Sequence, residues 1–489
     1  MNETLDFSEN QFKDILAKST ELVLQQFENL DAHKGYHFYP QKEVESWFDE
    51  GIPDAGMNAI ELLDEVGKKV LQTATGNLGP HMYAYVMSGG NQMAIVAEKL
   101  AATINQNQTK WHLAPAMNEI EKRVIAWTAK LLDFPEDSGG VLVSGGSAAN
   151  LTGLTVGRNI FFEAIGIRKT GLFHQKPFVV YASEEVHSCV DKSVELLGIG
   201  SNQLRKIETD ADFKIRLDLL EEQIKNDIAD GLRPFCLIGN AGTVNTGAID
   251  DLDALADLAK KYELWYHIDG AYGALAGILD SLKKEYKGME RADSIALDFH
   301  KWLYVPFEGG CTIVRSWDKL RRTYFKKAAY LDTELANDGN RLEYNEHYFQ
   351  LSRNAKAFKV WLTIKAYGMT RIKDMIQKDI DLTNYLNELV NAAEDFELVA
   401  DSKLAVSCFR YIGKMRSKSE IVEFNRELMP ALEKDGRVFI MGTSLKGDYA
   451  IRACLINHRK TKKTIEHLIE VIREIAQKLE LKKQTVIQK

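Results

Sequence analysis

A chain of 489 residues, 45% hydrophobic and 27% charged, is long enough for one large core plus at least one smaller domain, and its make-up excludes disorder, collagen-like repeats and coiled coil. A net charge of -8 and a pI near 5.9 leave no basic surplus for a phosphate backbone or an anionic surface, so neither nucleic acid nor membrane is an expected partner. Met1-Asn2-Glu3-Thr4-Leu5-Asp6 has neither the basic start nor the apolar core of a leader, and a cytoplasmic location is expected.

Residues 1–88 read as an N-terminal helical arm, with a helical pattern from Met57 to Thr75 and a break around Gly76, Gly79 and Pro80. From 89 to 368 short apolar runs alternate with amphipathic stretches, the pattern of an α/β domain whose mostly parallel sheet is covered on both faces. Six strands are predicted: Gly140-Val141-Leu142-Val143, Phe178-Val179-Val180-Tyr181, Phe235-Cys236-Leu237-Ile238, Leu264 to Ile268, Asp293 to Leu297, and Cys311-Thr312-Ile313-Val314. Residues 369–489 read as a small C-terminal α+β domain. Its expected order is a long helix, a strand at Ala405 to Ile412, a helix at Ile421 to Lys434, strands near Val438 and Ala450, and a helix ending at Leu481, with a frayed tail from Lys482. The five cysteines, at 189, 236, 311, 408 and 454, are widely spaced without a Cys-x-x-Cys pair and read as buried free thiols; no metal site is expected.

Polar residues follow several of the apolar runs, where the carboxyl ends of sheet strands form ligand crevices. Ser144-Gly145-Gly146-Ser147-Ala148-Ala149-Asn150 leaves a strand and enters a helix, which brings backbone N–H groups to bear on an anion; by itself it is also an ordinary tight connection. His267-Ile268-Asp269-Gly270-Ala271 ends a strand in a carboxylate that fits a cationic partner or, equally, a capping role. Asp298-Phe299-His300-Lys301-Trp302 puts a lysine directly after a strand, where low polarity favours imine chemistry, although most lysines are solvated charges. An anion cradle, an acidic partner and an imine-forming lysine together are the three anchors that pyridoxal 5'-phosphate needs.

The order and surroundings of these motifs resemble the group II pyridoxal-dependent amino acid decarboxylases, the aromatic L-amino acid decarboxylases among them, from about Leu78 to Ile472. The resemblance implies fold type I, the aspartate aminotransferase-like fold, and decarboxylation of an L-amino acid to the amine and CO2 in a homodimer with sites at its interface. It makes Lys301 the Schiff-base lysine with His300 beside the phosphate, Asp269 the partner of the pyridine nitrogen, and Ala271 the small residue under the ring. It matches Gly146 and Ser147 to the phosphate cradle, Ser294 to a further phosphate contact and Thr243 to the ring oxygen. His187 matches the histidine stacked on the open face of the ring, a position that on its own is also an ordinary helix-start residue. Tyr330, in a loop from Tyr324 to Asn340, matches the tyrosine that reaches the neighbouring subunit's site, and Tyr330 or His187 is expected to return a proton to Cα.

Two departures stand out. The usual Asp/Asn-Pro before His-Lys is Asp298-Phe299, and the stretches matching the bulky pocket rings of aromatic-specific members read Asn77-Leu78 and Gln108-Thr109. Tyr83-Ala84-Tyr85-Val86 keeps the aromatic character, with Tyr85 and Val86 as the substrate-contacting candidates, which favours an aromatic or apolar amino acid. An aldehyde-forming decarboxylase, a transaminase, a decarboxylase of acidic or diamino acids and a noncatalytic scaffold are the alternatives.

Overall fold

In the computed structural model, described for residues 4–327, 341–415 and 417–487, the chain divides into two compact units. One comprises Val86–Asn384 with Ala400–Ser407; the other is built from the residues up to Tyr85, Tyr385–Val399 and those from Cys408 onward.

The first unit is organised on a seven-stranded sheet: β1 (Gly139–Val143), β2 (Phe178–Ser183), β3 (Leu204–Ile207), β4 (Arg233–Asn240), β5 (Trp265–Asp269), β6 (Ser294–Asp298) and β7 (Gly310–Val314). Their order is β1-β7-β6-β5-β4-β2-β3. Strands β2 to β6 are parallel, while β7 runs antiparallel to both β6 and β1, so β1 points the same way as β6. Apart from β3 and the first two residues of β4, every strand residue is buried, which is why the runs are continuously apolar instead of alternating.

Helices α1 (Pro115–Leu131), α2 (Gly146–Phe161), α3 (Cys189–Leu196) and the short α4 (Phe299–Trp302) pack in this unit. Helix α2 buries a small-residue face that includes Gly153 and Gly157. A Cβ at Gly153 would lie 2.7 Å from His267 Cε1, and one at Gly157 2.8 Å from Trp265 Cδ1. These glycines let α2 lie directly on β5 and fix where its amino end comes to rest.

The sheet has one strand more than the six predicted. Strand β3 is a four-residue edge strand carrying Arg205 and Lys206, too short and too charged to read as an apolar run. The predicted helix at Met57 to Thr75 is shorter and broken in character, an α-helix at Ala59–Val66 followed by a π-helical turn at Gly67–Leu71. Gly368, with φ 72°, is a break inside the helical stretch Lys356–Ala392.

In the second unit a four-stranded sheet has the order β10-β11-β9-β8, from β8 (Phe396–Ala400), β9 (Val406–Tyr411), β10 (Met441–Leu445) and β11 (Asp448–Cys454). Strand β8 was not predicted, since Glu397 interrupts its apolar face, and the strand expected near Val438 begins instead at Met441. The last helix, Lys462–Ile487, continues past the expected fraying point at Lys482. All five cysteines are free and buried. Among the described residues no helix is long and apolar enough to cross a membrane.

Candidate active site

Five strands, β1, β6, β5, β4 and β2, run the same way, and of the residues singled out from sequence Gly146, Ser147, His187, Thr243, Asp269, Ala271, His300 and Lys301 lie at or beyond their carboxyl ends. Between β1 and β6 lies the amino end of the reversed β7, with Gly310 paired to both Val143 and Asp298. A Cβ on Gly310 would come within 2.5 Å of Gly145 Cα, so the two turns meet only because residue 310 is glycine. This reversal of neighbours is a place where open α/β sheets form a ligand crevice.

Lys301 sits in α4, one turn beyond the end of β6. Its Nζ is 3.0 Å from Asp298 Oδ2, with the lysine side chain 17% and the carboxylate 2% exposed. The other oxygen of Asp298 is buried with no hydrogen-bond partner among the described residues. His300 Nε2 lies 3.5 Å from the same Asp298 Oδ2, and its Nδ1 accepts from the Gly309 N–H at 3.2 Å. Burial lowers the pKa of this imidazole below its ordinary value, against the opposing pull of Asp298. The carbonyl of His300 accepts from Ser88 Oγ at 2.7 Å, which anchors the turn from outside the motif.

Helix α2 starts at Gly146 without a side-chain cap, and the first N–H to find a helical carbonyl is that of Ala149, on Gly145. The N–H groups of Gly146, Ser147 and Ala148 are therefore the open donors of a four-turn helix. Gly145 enters it at φ 145°, and a Cβ there would lie 3.4 Å from His300 Cε1. At Gly146 a Cβ would sit 2.8 Å from Ala271 Cβ and 2.9 Å from Asp298 Oδ2, so this glycine keeps open a cradle bounded by the lysine turn on one side and the Asp269 turn on the other.

Asp269 closes β5, buried at 6% exposure, and its Oδ1 accepts from the Ala271 N–H at 3.2 Å. Two residues back, His267 is fully buried between Asn150 Oδ1 and Ser294 Oγ, each at 2.8 Å. Burial depresses the His267 pKa to about 4, so the ring is neutral and joins α2 to β5 and β6 by hydrogen bonds alone. Asn150 also donates to the Gly146 carbonyl at 3.0 Å. Sequence reasoning did not assign Asn150 or Ser88 a part; the one available signal was that Asn150 falls four residues, one helical turn, after Gly146.

Ser294 is a correction. Expected beside the phosphate, it opens β6 at the end away from Lys301, and its hydroxyl receives Trp265 Nε1 at 2.9 Å as well as contacting His267. It serves the interior. Thr243 stands beyond β4 with its hydroxyl 3.0 Å from that of Thr246 and accepting the Ala248 N–H at 3.1 Å. His187 stands beyond β2, exposed, with Nδ1 accepting from the Cys189 N–H at 3.2 Å. Tyr330 lies outside the described residues. Tyr85 falls in the second unit, 52% exposed and at φ 58°, whereas Val86 begins the first and is buried.

These residues fit pyridoxal 5'-phosphate: uncapped N–H donors for the phosphate, a cradle that a Cβ at Gly146 would fill, an amine for the aldehyde and a buried carboxylate for a protonated ring nitrogen. The fold places the chain among the fold type I α/β enzymes of that cofactor. A model of the pyridoxal-dependent decarboxylase conserved domain matches residues 40–412. An aromatic-L-amino-acid decarboxylase of Bacillus atrophaeus is 32% identical over 482 residues, covering 98% of each chain. Tyrosine decarboxylase 3 of Petroselinum crispum is 30% identical over 420 residues, covering 81% of this chain and 80% of that one. The crystal structure of Oryza sativa TDC with PLP and tryptamine has the same fold, with a TM-score of 0.92 at 23% identity, covering 98% of this chain and 100% of that one. The chain belongs to the pyridoxal-dependent decarboxylase family, and it is a pyridoxal 5'-phosphate-dependent carboxy-lyase of amino acids.

Proposed function

We propose that this enzyme removes CO2 from an aromatic L-amino acid and releases the arylalkyl amine, in the cytoplasm and as a homodimer. The observation that carries the catalytic reading is the Lys301 turn itself, with the amine held 3.0 Å from Asp298 and Asp298 in turn facing the Gly146 cradle. The aromatic preference rests on likeness over nearly the whole chain to an aromatic-L-amino-acid decarboxylase, together with the Tyr83 to Val86 stretch. Dimerisation and the assignment of Tyr85 and Val86 to the substrate rest on the sequence.

The chemistry supplied by bound pyridoxal 5'-phosphate is an aldehyde for amine capture and a pyridinium that takes up the electron pair left when the carboxylate departs as CO2. Lys301 would hold the cofactor through its amine. Gly146 and Ser147 bind the phosphate through backbone N–H groups, with His300 beside it. Asp269, buried at the end of β5, keeps the ring nitrogen protonated, and Ala271 leaves room under the ring. Thr243 would meet the ring oxygen. His187, its Nδ1 occupied by the Cys189 N–H, would cover the open face. Tyr330 supplies the proton that replaces CO2 on Cα, so amino acid plus one proton gives amine plus CO2.

The test is a panel of aromatic, aliphatic, acidic and diamino acids assayed together for CO2, amine, aldehyde and ketoacid. Equimolar CO2 and amine from aromatic substrates is the expected result. Turnover confined to acidic or diamino acids would overturn the substrate class, and ketoacid without CO2 the reaction. In air, Tyr330→Phe is expected to shift product from amine to aldehyde and ammonia, with O2 as the oxidant reduced to hydrogen peroxide; unchanged amine output would remove Tyr330 as the proton donor.

A further inference from the structure

Strand β1 delivers the chain into the cradle, yet it is the outermost strand of its sheet and has only β7 beside it. In a strand the N–H and C=O of one residue point to the same side, so alternate residues of an edge strand leave both groups without a ladder partner. Leu142 is such a residue. Its N–H donates to Glu121 Oε1 at 3.0 Å, and its carbonyl accepts from Arg353 Nη2 at 3.0 Å. The same Nη2 meets the same Oε1 at 2.6 Å, so one carboxylate oxygen, one guanidinium nitrogen and one peptide edge close a ring. The two side chains are 0% and 2% exposed.

A buried ion pair is costly to desolvate, and it offsets that cost only when its remaining polar atoms are also bonded. Here they are not: Glu121 Oε2 and Arg353 Nη1 are buried with no hydrogen-bond partner among the described residues. The pair is a poor device for stability alone. Its bonds converge instead on Leu142, three residues before Gly145 and four before Gly146. Arg353 is itself fixed, stacked 4.7 Å from the Tyr344 ring centroid, its N–H on Asn107 Oδ1 at 3.1 Å and its carbonyl accepting from Gln108 N–H at 2.9 Å. Glu121 projects from the middle of α1.

We infer that Glu121 and Arg353 are positioning residues for the phosphate cradle: they act as an artificial neighbouring strand for β1 at Leu142 and so set where Gly146, Ser147 and Ala148 present their N–H groups. This inference rests on the cradle reading given under Proposed function. A geometry held from outside the site makes its loss visible in cofactor binding before it is visible in the fold.

The test compares three variants in apo form. Glu121→Leu combined with Arg353→Met removes the pair without stranding a buried charge. Arg353→Lys keeps the charge but removes the guanidinium whose Nη2 meets both Glu121 and Leu142 while its plane stacks on Tyr344. Gly146→Val fills the cradle directly. For each, the dissociation constants of pyridoxal 5'-phosphate and of inorganic phosphate are measured, with thermal stability and amide exchange at 142–148. The double variant is expected to stay folded, to exchange faster at these amides, and to bind both ligands roughly tenfold to a hundredfold more weakly, the size typical of losing a group that orients a ligand-holding residue. Arg353→Lys is expected to weaken both in the same direction. Unchanged affinities, or affinities that fall only as far as stability does, would show the pair to be a fold support and overturn the inference; if the double variant does not fold, Arg353→Lys alone decides. Should Gly146→Val also leave affinity unchanged, the cradle reading fails; should it abolish binding while the pair variants do not, only the role of Glu121 and Arg353 falls.

Discussion

Lys301 and Asp298 face each other at 3.0 Å across one turn of chain, and the same carboxylate lies against the amino end of α2 at Gly146. Asp298 thus serves as the counter-charge of the lysine and also places a negative charge at the proposed phosphate cradle. Asp298→Asn is expected to strengthen inorganic phosphate binding to the apo protein by roughly fivefold, about 1 kcal/mol, while lowering its thermal stability by leaving the lysine without its partner. Thermal shift against phosphate concentration measures both. Weaker phosphate binding in this variant would place the anion elsewhere.

Asp269→Asn tests the electron sink. The amide keeps the shape and can still accept the Ala271 N–H at its oxygen, so the fold should survive. An amide cannot hold a ring nitrogen protonated, and a loss of about a hundredfold or more in kcat is expected with cofactor still bound. Near-normal turnover in cofactor-saturated protein would exclude Asp269 from that role.

The His267 ring gives a pH signature. Its folded pKa of about 4 lies below the ordinary 6.5, so the unfolded chain binds the extra proton between these values and the folded chain does not. Stability contributed by the neutral ring is complete above 6.5 and is lost as pH falls toward 4, by roughly 3 kcal/mol at most. His267→Gln removes this titration, so denaturation free energies of parent and variant, measured from pH 7.5 to 4.5, should converge as pH falls. Parallel curves would show that His267 does not titrate between the two states.

How far the sequence carried depends on which physics shaped each element. Strands buried on both faces, such as β5 and β6, stand out as apolar runs ending in Asp269 and Asp298, which is why the lysine and aspartate turns were legible. Strand β3 and strand β8 carry charge within short edge or half-exposed segments, and their existence is set by the neighbour they pair with. Ser294 was matched to a phosphate contact by the family resemblance alone, and the five-residue strand β6 separates it from the Lys301 turn. Asn150, Ser88, Glu121 and Arg353 act through contacts spanning up to 232 residues of chain, and apart from the one-turn spacing of Asn150 from Gly146 no local pattern marks them.

The account stands on Lys301 as the residue that carries the cofactor. Treating the cofactor-loaded enzyme with borohydride and mapping the labelled peptide tests this directly. The prediction is one pyridoxyl group per chain, on Lys301, and none in Lys301→Ala, which should also lose the imine absorbance band and decarboxylation. A label on any other lysine, or a Lys301→Ala protein that still forms the band and releases CO2 at the parent rate, would contradict it.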